Sequence, residues 1–196
     1  KTKPAERILE VYNCGQKVFG ENRVQEIIDK QPQLPADIEW HFIGHLQTNK
    51  VKYITPYISM IQSVDSLKLL QEINKEALKN ERVIKCLLEM FIAEEDSKFG
   101  LDYEEVVAII KSAEFNKMQN IKICGVMGMA TFTDDMEIVR KEFRLLKNYF
   151  YKIKSEYLKN DTAFKEISMG MSGDYIAAIE EGSTMVRIGT AIFGER

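Results

Sequence analysis

The sequence is poor in the residues that mark unusual protein classes. It has three cysteines, four prolines, two histidines and one tryptophan among 196 residues. Few prolines together with eleven glycines exclude collagen-like and low-complexity chains. Cys14, Cys86 and Cys124 are odd in number and far apart, which excludes a disulfide framework and does not match a metal-binding spacing. We expect all three to be reduced thiols in or near the core.

Strong charge of one sign and long apolar runs are also lacking. A formal net charge of −3 provides no global field for nucleic acid or an anionic membrane, so we expect neither as a partner. No apolar run approaches the ~20 residues that a membrane-spanning helix needs, and no signal peptide is visible. With 45% apolar and 29% charged residues, the composition is typical of a globular protein, and we expect a single domain over residues 1–196. Reduced cysteines indicate a cytoplasmic protein, and we expect a monomer or a weak dimer.

Short apolar segments alternate with amphipathic ones along the chain. Seven segments rich in Val, Ile, Phe and Met predict buried parallel strands. They are residues 17–20, 40–44, 60–64, 84–92, 121–127, 165–169 and 185–188. Between them, apolar residues at helical spacing follow candidate capping residues, namely Asp65 and Ser66 in one case and Asp102 in another, which predicts connecting helices.

This alternation predicts an α/β fold with a parallel sheet, either open or closed into a (β/α)₈ TIM barrel. A closed barrel of this kind has eight strands, and the pattern supplies seven. The chain opens on Lys1-Thr2-Lys3-Pro4, which leads directly into a helical pattern. Because a helix follows a strand in such a fold, a strand missing just before Lys1 would complete the barrel.

Polar and glycine residues mark the ends of the last two predicted strands. Phosphate sites in these barrels favour the loops after the seventh and eighth strands, which here correspond to residues 168–174 and 186–190. Gly189 allows an anion close to the backbone, and the hydroxyls of Ser172 and Thr190 can donate hydrogen bonds. Plain strand-to-helix turns explain the same residues equally well.

Four further polar residues lie at or near predicted strand ends. Arg187 ends an apolar strand and needs a partner, either an internal carboxylate or a ligand acceptor. Lys1 would follow the missing strand, where a neutral lysine amine can form a Schiff base with an aldehyde, although a solvated surface charge is the alternative. Asn22 and His41 are candidate pocket residues, and for His41 we favour a hydrogen-bonded histidine of the core.

Five ordered segments resemble the pyridoxal phosphate homeostasis proteins, single-domain relatives of the alanine racemase N-terminal barrel. The segments are Lys1-Thr2-Lys3-Pro4, Phe19-Gly20-Glu21-Asn22-x-Val24-Gln25-Glu26, Trp40-His41-Phe42-Ile43-Gly44-x-Leu46-Gln47-x-Asn49-Lys50, Ser168-Met169-Gly170-Met171-Ser172-x-Asp174 and Val186-Arg187-Ile188-Gly189-Thr190-Ala191-Ile192-Phe193-Gly194. The resemblance implies an alanine racemase N-terminal domain-like (β/α)₈ barrel that holds pyridoxal 5′-phosphate (PLP), whose N-terminal helix and first strand are absent from this sequence. It also implies a set of cofactor-binding roles: a Schiff base on Lys1, phosphate contacts from Ser172, Gly189 and Thr190, a supporting contact from Asn22, and Arg187 against the pyridine nitrogen.

Under that resemblance, Arg187 limits the chemistry of the coenzyme. A guanidinium only donates hydrogen bonds, so a ring nitrogen that faces it stays unprotonated. An unprotonated pyridine is a poor electron sink, which disfavours transaminase-like and decarboxylase-like reactions. Racemisation would also need a second acid–base group on the opposite face of the substrate. The alanine racemase relatives take it from a second domain and a partner subunit, and we expect no such domain here.

We therefore expect a protein that binds PLP reversibly and acts in vitamin B6 and amino-acid balance, with little or no catalytic turnover. PLP-dependent apo-enzymes are the expected recipients of the coenzyme. Two alternatives stay open at this point. One is a single-domain PLP-dependent amino-acid racemase, and the other is a phosphate-binding barrel that holds no coenzyme.

Overall fold

The computed structural model describes residues 3–93 and 100–195. Within them, seven parallel β-strands form one sheet in chain order, bent into a nearly closed barrel. The strands are β1 (Val18–Glu21), β2 (Glu39–Phe42), β3 (Ile58–Val64), β4 (Ile84–Met90), β5 (Ile121–Gly128), β6 (Glu166–Met171) and β7 (Met185–Arg187). Every predicted strand is confirmed within two residues at each end, and the predicted TIM-barrel fold is confirmed with it.

Helices follow the strands and cover the outside of the sheet. In the described part of the chain they are α1 (Ala5–Asn13), α2 (Val24–Lys30), α3 (Val51–Ile54), α4 (Leu67–Lys79), α5 (Tyr103–Lys111), α6 (Met136–Glu156), α7 (Tyr175–Glu180) and α8 (Thr190–Phe193). Ser66 caps α4, since its hydroxyl accepts from the backbone N–H of Leu69. Asp102 and Glu105 form a reciprocal capping box at the start of α5. The predicted starts of both helices are confirmed, with Ser66 rather than Asp65 as the cap of α4.

Two apolar clusters hold the fold together. The larger lies between sheet and helices and contains fully buried Phe42, Phe143 and Phe164. The smaller consists of Met60, Leu87, Cys124 and Met127, with Met185 packed against it. Side chains of a strand alternate between its two faces, and Met60 and Met185 line the cavity inside the barrel. The smaller cluster therefore belongs to the inner face.

The cysteines are all free thiols, but only two of them belong to the core. Cys86 and Cys124 are buried on adjacent strands β4 and β5. The prediction was wrong for Cys14, which is exposed because it follows the last turn of α1.

Gly125 permits the close pairing of β5 with β6. Its φ of +154° is unfavourable for residues with a side chain, and a Cβ at this position would lie 1.8 Å from the carbonyl oxygen of Glu166. The register of β4 against β5 shifts at the same place, between Cys86 and Leu87. A glycine is therefore required where the sheet adjusts its register.

β1 and β7 are the two ends of the sheet, each paired with a single neighbour among the described residues. The strand expected before Lys1 stays a prediction. No helix within residues 3–93 and 100–195 has both the length and the apolar character to cross a membrane.

Candidate functional site

A cavity of about 1010 Å³ runs along the inside of the barrel. Residues of β1, β2, β3, β6 and β7 and the segments after β1, β5, β6 and β7 contribute to its lining. Five of the six predicted site residues lie together on this lining, namely Asn22, Ser172, Arg187, Gly189 and Thr190. The sixth, Lys1, lies outside the described residues.

Asn22 reaches the cavity because the ends of β1 and β2 approach each other closely. A Cβ on Gly44, which follows β2, would lie 2.4 Å from the carbonyl oxygen of Asn22. Gly44 therefore lets the two backbones meet, and this contact fixes the position at which Asn22 leaves β1.

Ser172 connects the segments that follow β6 and β7. Its Oγ accepts hydrogen bonds from the backbone N–H groups of Gly189 at 3.1 Å and Ala191 at 3.2 Å. Asp174 Oδ1 closes the turn after β6 by accepting from the N–H of Met171 at 2.5 Å. The two segments singled out in the sequence are thus neighbours in space. Their role in phosphate binding stays a prediction.

Open space lies above two glycines of these segments. A Cβ built on Gly173 or on Gly189 would have no heavy atom within 4 Å. A small anion can therefore approach the backbone at both positions without displacing protein atoms.

Arg187 is half-buried and held by two oxygen acceptors. One of its terminal nitrogens donates to Ser168 Oγ at 2.8 Å and the other to the carbonyl oxygen of Gly128 at 2.9 Å. Burial lowers the pKa of Arg187 to about 10, which the negative charges of Glu89 and Asp174 partly oppose. The guanidinium stays charged at neutral pH. Its hydrogen-bond partners are thus a hydroxyl and a carbonyl, while Glu89 acts on it through its electric field.

Glu89, on β4, is 3% exposed. Burial and, to a smaller extent, the nearby charge of Asp65 raise the pKa of its carboxyl to about 7, against the opposing charge of Arg187. Its protonation therefore changes close to neutral pH.

A chain of hydrogen bonds leads from Arg187 across the barrel to β2. Ser168 Oγ donates to Gln62 Oε1 at 2.7 Å. The Gln62 amide lies 2.9 Å from His41 Nδ1 and donates to Met185 Sδ at 3.0 Å. His41 is buried, and burial together with the charge of Lys85 lowers the pKa of its ring to about 4. The interpretation of His41 as a hydrogen-bonded core histidine is confirmed, and the residue also lines the cavity.

Gln62 and Ser168 were missed in the sequence. A signal for them existed, since both are polar residues inside apolar strands. The argument that an unpartnered Arg187 would be costly in such a strand applies to them as well.

Known proteins resemble this chain over its whole length. The family described as alanine racemase, N-terminal domain, matches residues 3–196. A pyridoxal phosphate homeostasis protein of Aquifex aeolicus is 44% identical over 197 residues, covering 100% of this chain and 84% of that protein. The protein of that name from Homo sapiens is 38% identical over 207 residues, covering 100% of this chain and 74% of its own.

Solved structures also resemble this chain. PipY of Synechococcus elongatus PCC7942 with PLP bound has a TM-score of 0.89 and 32% identity, covering 99% of this chain and 89% of its own. An alanine racemase of Clostridium difficile 630 has a TM-score of 0.69 at 15% identity, covering 96% of this chain and 48% of its own, which indicates a shared fold only. Since relatives well above 30% identity cover the whole chain, it belongs to the pyridoxal phosphate homeostasis protein family, which shares the alanine racemase N-terminal domain.

Proposed function

We propose that this chain binds PLP in the barrel cavity and acts in PLP homeostasis, with little or no catalytic turnover. One observation carries the proposal. A single cavity brings together the five described residues for which the family resemblance implies PLP contacts. The similarity to PipY with PLP bound supports it further.

The residues after β6 and β7 fit the phosphate of the coenzyme. The open space above Gly173 and Gly189 leaves room for phosphate oxygens. Because Ser172 Oγ already accepts two backbone N–H groups, its own hydroxyl proton can donate to a ligand. We assign phosphate contacts to Ser172, Gly189 and Thr190, with Asn22 as a supporting contact.

Arg187 fits the pyridine end. Two of its five N–H donors are engaged by Ser168 and Gly128, which leaves others for a ring nitrogen. When bound, PLP supplies an aldehyde that reacts with amines and a ring that withdraws electrons. A guanidinium beside the ring nitrogen keeps that nitrogen unprotonated, so the withdrawal is weak. This supports a carrier with little turnover.

We further propose the setting in which the protein works. It forms one domain over residues 1–196, acts in the cytoplasm as a monomer or a weak dimer, and passes PLP to PLP-dependent apo-enzymes. The net charge of −3 argues against nucleic acid and anionic membranes as partners.

The binding proposal is tested by titrating PLP into the full-length protein and into two lysine variants. We assign the covalent attachment to Lys1. Lys3 is the matched control, because it is a nearby lysine that donates to the carbonyl oxygen of Glu195 at 2.7 Å. The visible absorbance of lysine-bound PLP should form in the wild type and Lys3→Ala, and be lost in Lys1→Ala. An unchanged band in Lys1→Ala would contradict the assignment, and no band in the wild type would contradict PLP binding itself.

Turnover is tested by deuterium exchange at the α-carbon of a panel of amino acids. We expect exchange close to the rate of free PLP. Efficient exchange would instead support the single-domain amino-acid racemase.

A further inference from the structure

Beside its apolar cluster, the inner face of the barrel also contains several buried polar side chains. Layers of Val, Ile and Leu commonly fill the interior of this fold, yet here His41, Gln62 and Ser168 are buried at 6%, 1% and 0% exposure. Burying polar groups is costly unless they are hydrogen-bonded. Together with Arg187, these residues satisfy one another in an unbroken chain from β7 to β2.

The direction of this chain is determined at its Arg187 end. A guanidinium can only donate, so Ser168 Oγ must accept from it and directs its own proton to Gln62 Oε1. The amide nitrogen of Gln62 then faces His41 Nδ1 and Met185 Sδ, and both of these atoms can accept. His41 must therefore carry its ring proton on Nε2.

The opposite orientation of the Gln62 amide is inconsistent with these partners. It would place the amide oxygen against Met185 Sδ, so that two acceptors would face each other. It would also direct the amide N–H towards Ser168 Oγ, which could accept it beside Arg187 but would then lose Gln62 Oε1 as the acceptor for its own proton. A single arrangement of protons thus provides a donor and an acceptor for each hydrogen bond of the chain.

We propose that Ser168 and Gln62 are positioning residues, which hold the Arg187 guanidinium at its place in the cavity and set the proton of His41 on Nε2. The effect of this guanidinium position on the coenzyme rests on the proposed function, in which Arg187 faces the pyridine nitrogen. The hydrogen-bond chain itself does not depend on PLP. It therefore allows one test without the coenzyme and one with it.

The test without coenzyme measures the ¹⁵N shifts of the His41 ring by NMR at neutral pH. The chain offers a matched control in Ser63, also buried at 0% exposure, whose Oγ has no hydrogen-bond partner among the described atoms. Ser168→Ala and Ser63→Ala each delete one buried hydroxyl. The hydroxyl of Ser168 belongs to the chain of hydrogen bonds, and that of Ser63 does not. We expect one Nε2–H tautomer in the wild type and Ser63→Ala, and a mixture of tautomers in Ser168→Ala. Gln62→Met, which keeps the shape of the side chain but removes its hydrogen bonds, should also give a mixture of tautomers. This variant keeps the test decisive if Ser168→Ala folds poorly.

The test with coenzyme is a double-mutant cycle on PLP affinity. Ser168→Ala should weaken PLP binding roughly tenfold, while Ser63→Ala leaves it unchanged. In an Arg187→Ala background the same Ser168 substitution should have less than a roughly twofold effect, because its target is already removed. An effect of Ser168→Ala that persists without Arg187 overturns the positioning role.

The two tests also separate this inference from the proposed function. If the wild type binds no PLP, the proposed function is wrong, and the nitrogen shifts still decide the hydrogen-bond chain. If Ser168→Ala and Gln62→Met leave the His41 tautomer as it is in Ser63→Ala, the inference is wrong even where PLP binds tightly.

Discussion

At the scale of single residues, the barrel interior shifts the ionisation of three side chains because it excludes water. Burial lowers the pKa of His41 to about 4 and of Arg187 to about 10, and raises that of Glu89 to about 7. At neutral pH the barrel interior thus contains a neutral imidazole, a permanent cation and a carboxyl group close to its titration point.

His41 should stabilise the folded protein less as the solution becomes acidic. The folded ring resists protonation down to about pH 4, whereas the unfolded ring binds a proton below its ordinary value of 6.5. Its contribution to the free energy of unfolding is therefore complete above about pH 6.5 and is lost as the pH falls towards 4. The loss is at most about 3 kcal/mol. The measurement is urea unfolding at pH 7 and pH 4.5, where His41→Asn should lose less stability than the wild type. A His41 ring that titrates near 6.5 by NMR would refute this prediction.

Glu89 should have the opposite dependence on pH. The folded carboxyl keeps its proton up to about pH 7, and the unfolded one loses it near 4.5, so stability falls as the pH rises between these values and is constant above them. Glu89→Gln should remove this part of the slope, which we expect to be about 1–3 kcal/mol between pH 5 and pH 8. The quantity to compare is the change in unfolding free energy from pH 5 to pH 8 in wild type and variant. Equal changes in the two proteins would contradict a raised pKa.

At the scale of strands and turns, glycines serve two separate purposes. Gly125 has a positive φ and lies against the Glu166 carbonyl, so it is needed for the pairing of β5 with β6. Gly189 faces open space at the cavity, so it is needed only if a ligand approaches there.

Alanine substitutions at these two glycines should therefore affect different properties. Gly125→Ala should lower the free energy of unfolding by more than about 3 kcal/mol, through backbone strain and overlap. Gly189→Ala should leave stability within about 0.5 kcal/mol of the wild type, yet weaken PLP binding at least roughly tenfold, because a methyl group would occupy the proposed phosphate position. Thermal unfolding and PLP titration measure the two effects. Unchanged PLP affinity in Gly189→Ala would exclude this position from the phosphate site.

The elements themselves were predictable from local patterns. Apolar runs located all seven strands, and Ser66 and Asp102 located two helix starts, because these signals depend on residues within a few positions of each other. The contact of Ser168 with Gln62 spans 106 positions, and that of Gln62 with Met185 spans 123. Such contacts depend on strand register, including the shifts at Gly125 and between Ser168 and Met171. Hydrophobic periodicity does not specify register to a single residue, which is why the polar chain became visible only in the structure.

The grouping of the candidate site was partly predictable. Fold knowledge placed Ser172, Gly189 and Thr190 at neighbouring strand ends, and all three line the cavity. The acceptors of Arg187 were not predictable, because a hydroxyl and a carbonyl replace the carboxylate that its charge suggested.

At the scale of the whole molecule, the barrel offers one large cavity with cationic side chains on its lining. Its volume of about 1010 Å³ is at the upper end of the range for small-molecule sites. Three amine or guanidinium groups among the described residues line it, namely Lys3, Lys85 and Arg187. Two of them are lysines that could react with an aldehyde in place of Lys1.

The central claim is therefore tested most directly by borohydride reduction of the PLP-loaded full-length protein, followed by mass mapping of the modified peptide. Reduction fixes the coenzyme permanently to the lysine that holds it. The account predicts one pyridoxyl group, located on Lys1. A pyridoxyl group on Lys3 or Lys85, or no stoichiometric modification at all, would contradict it.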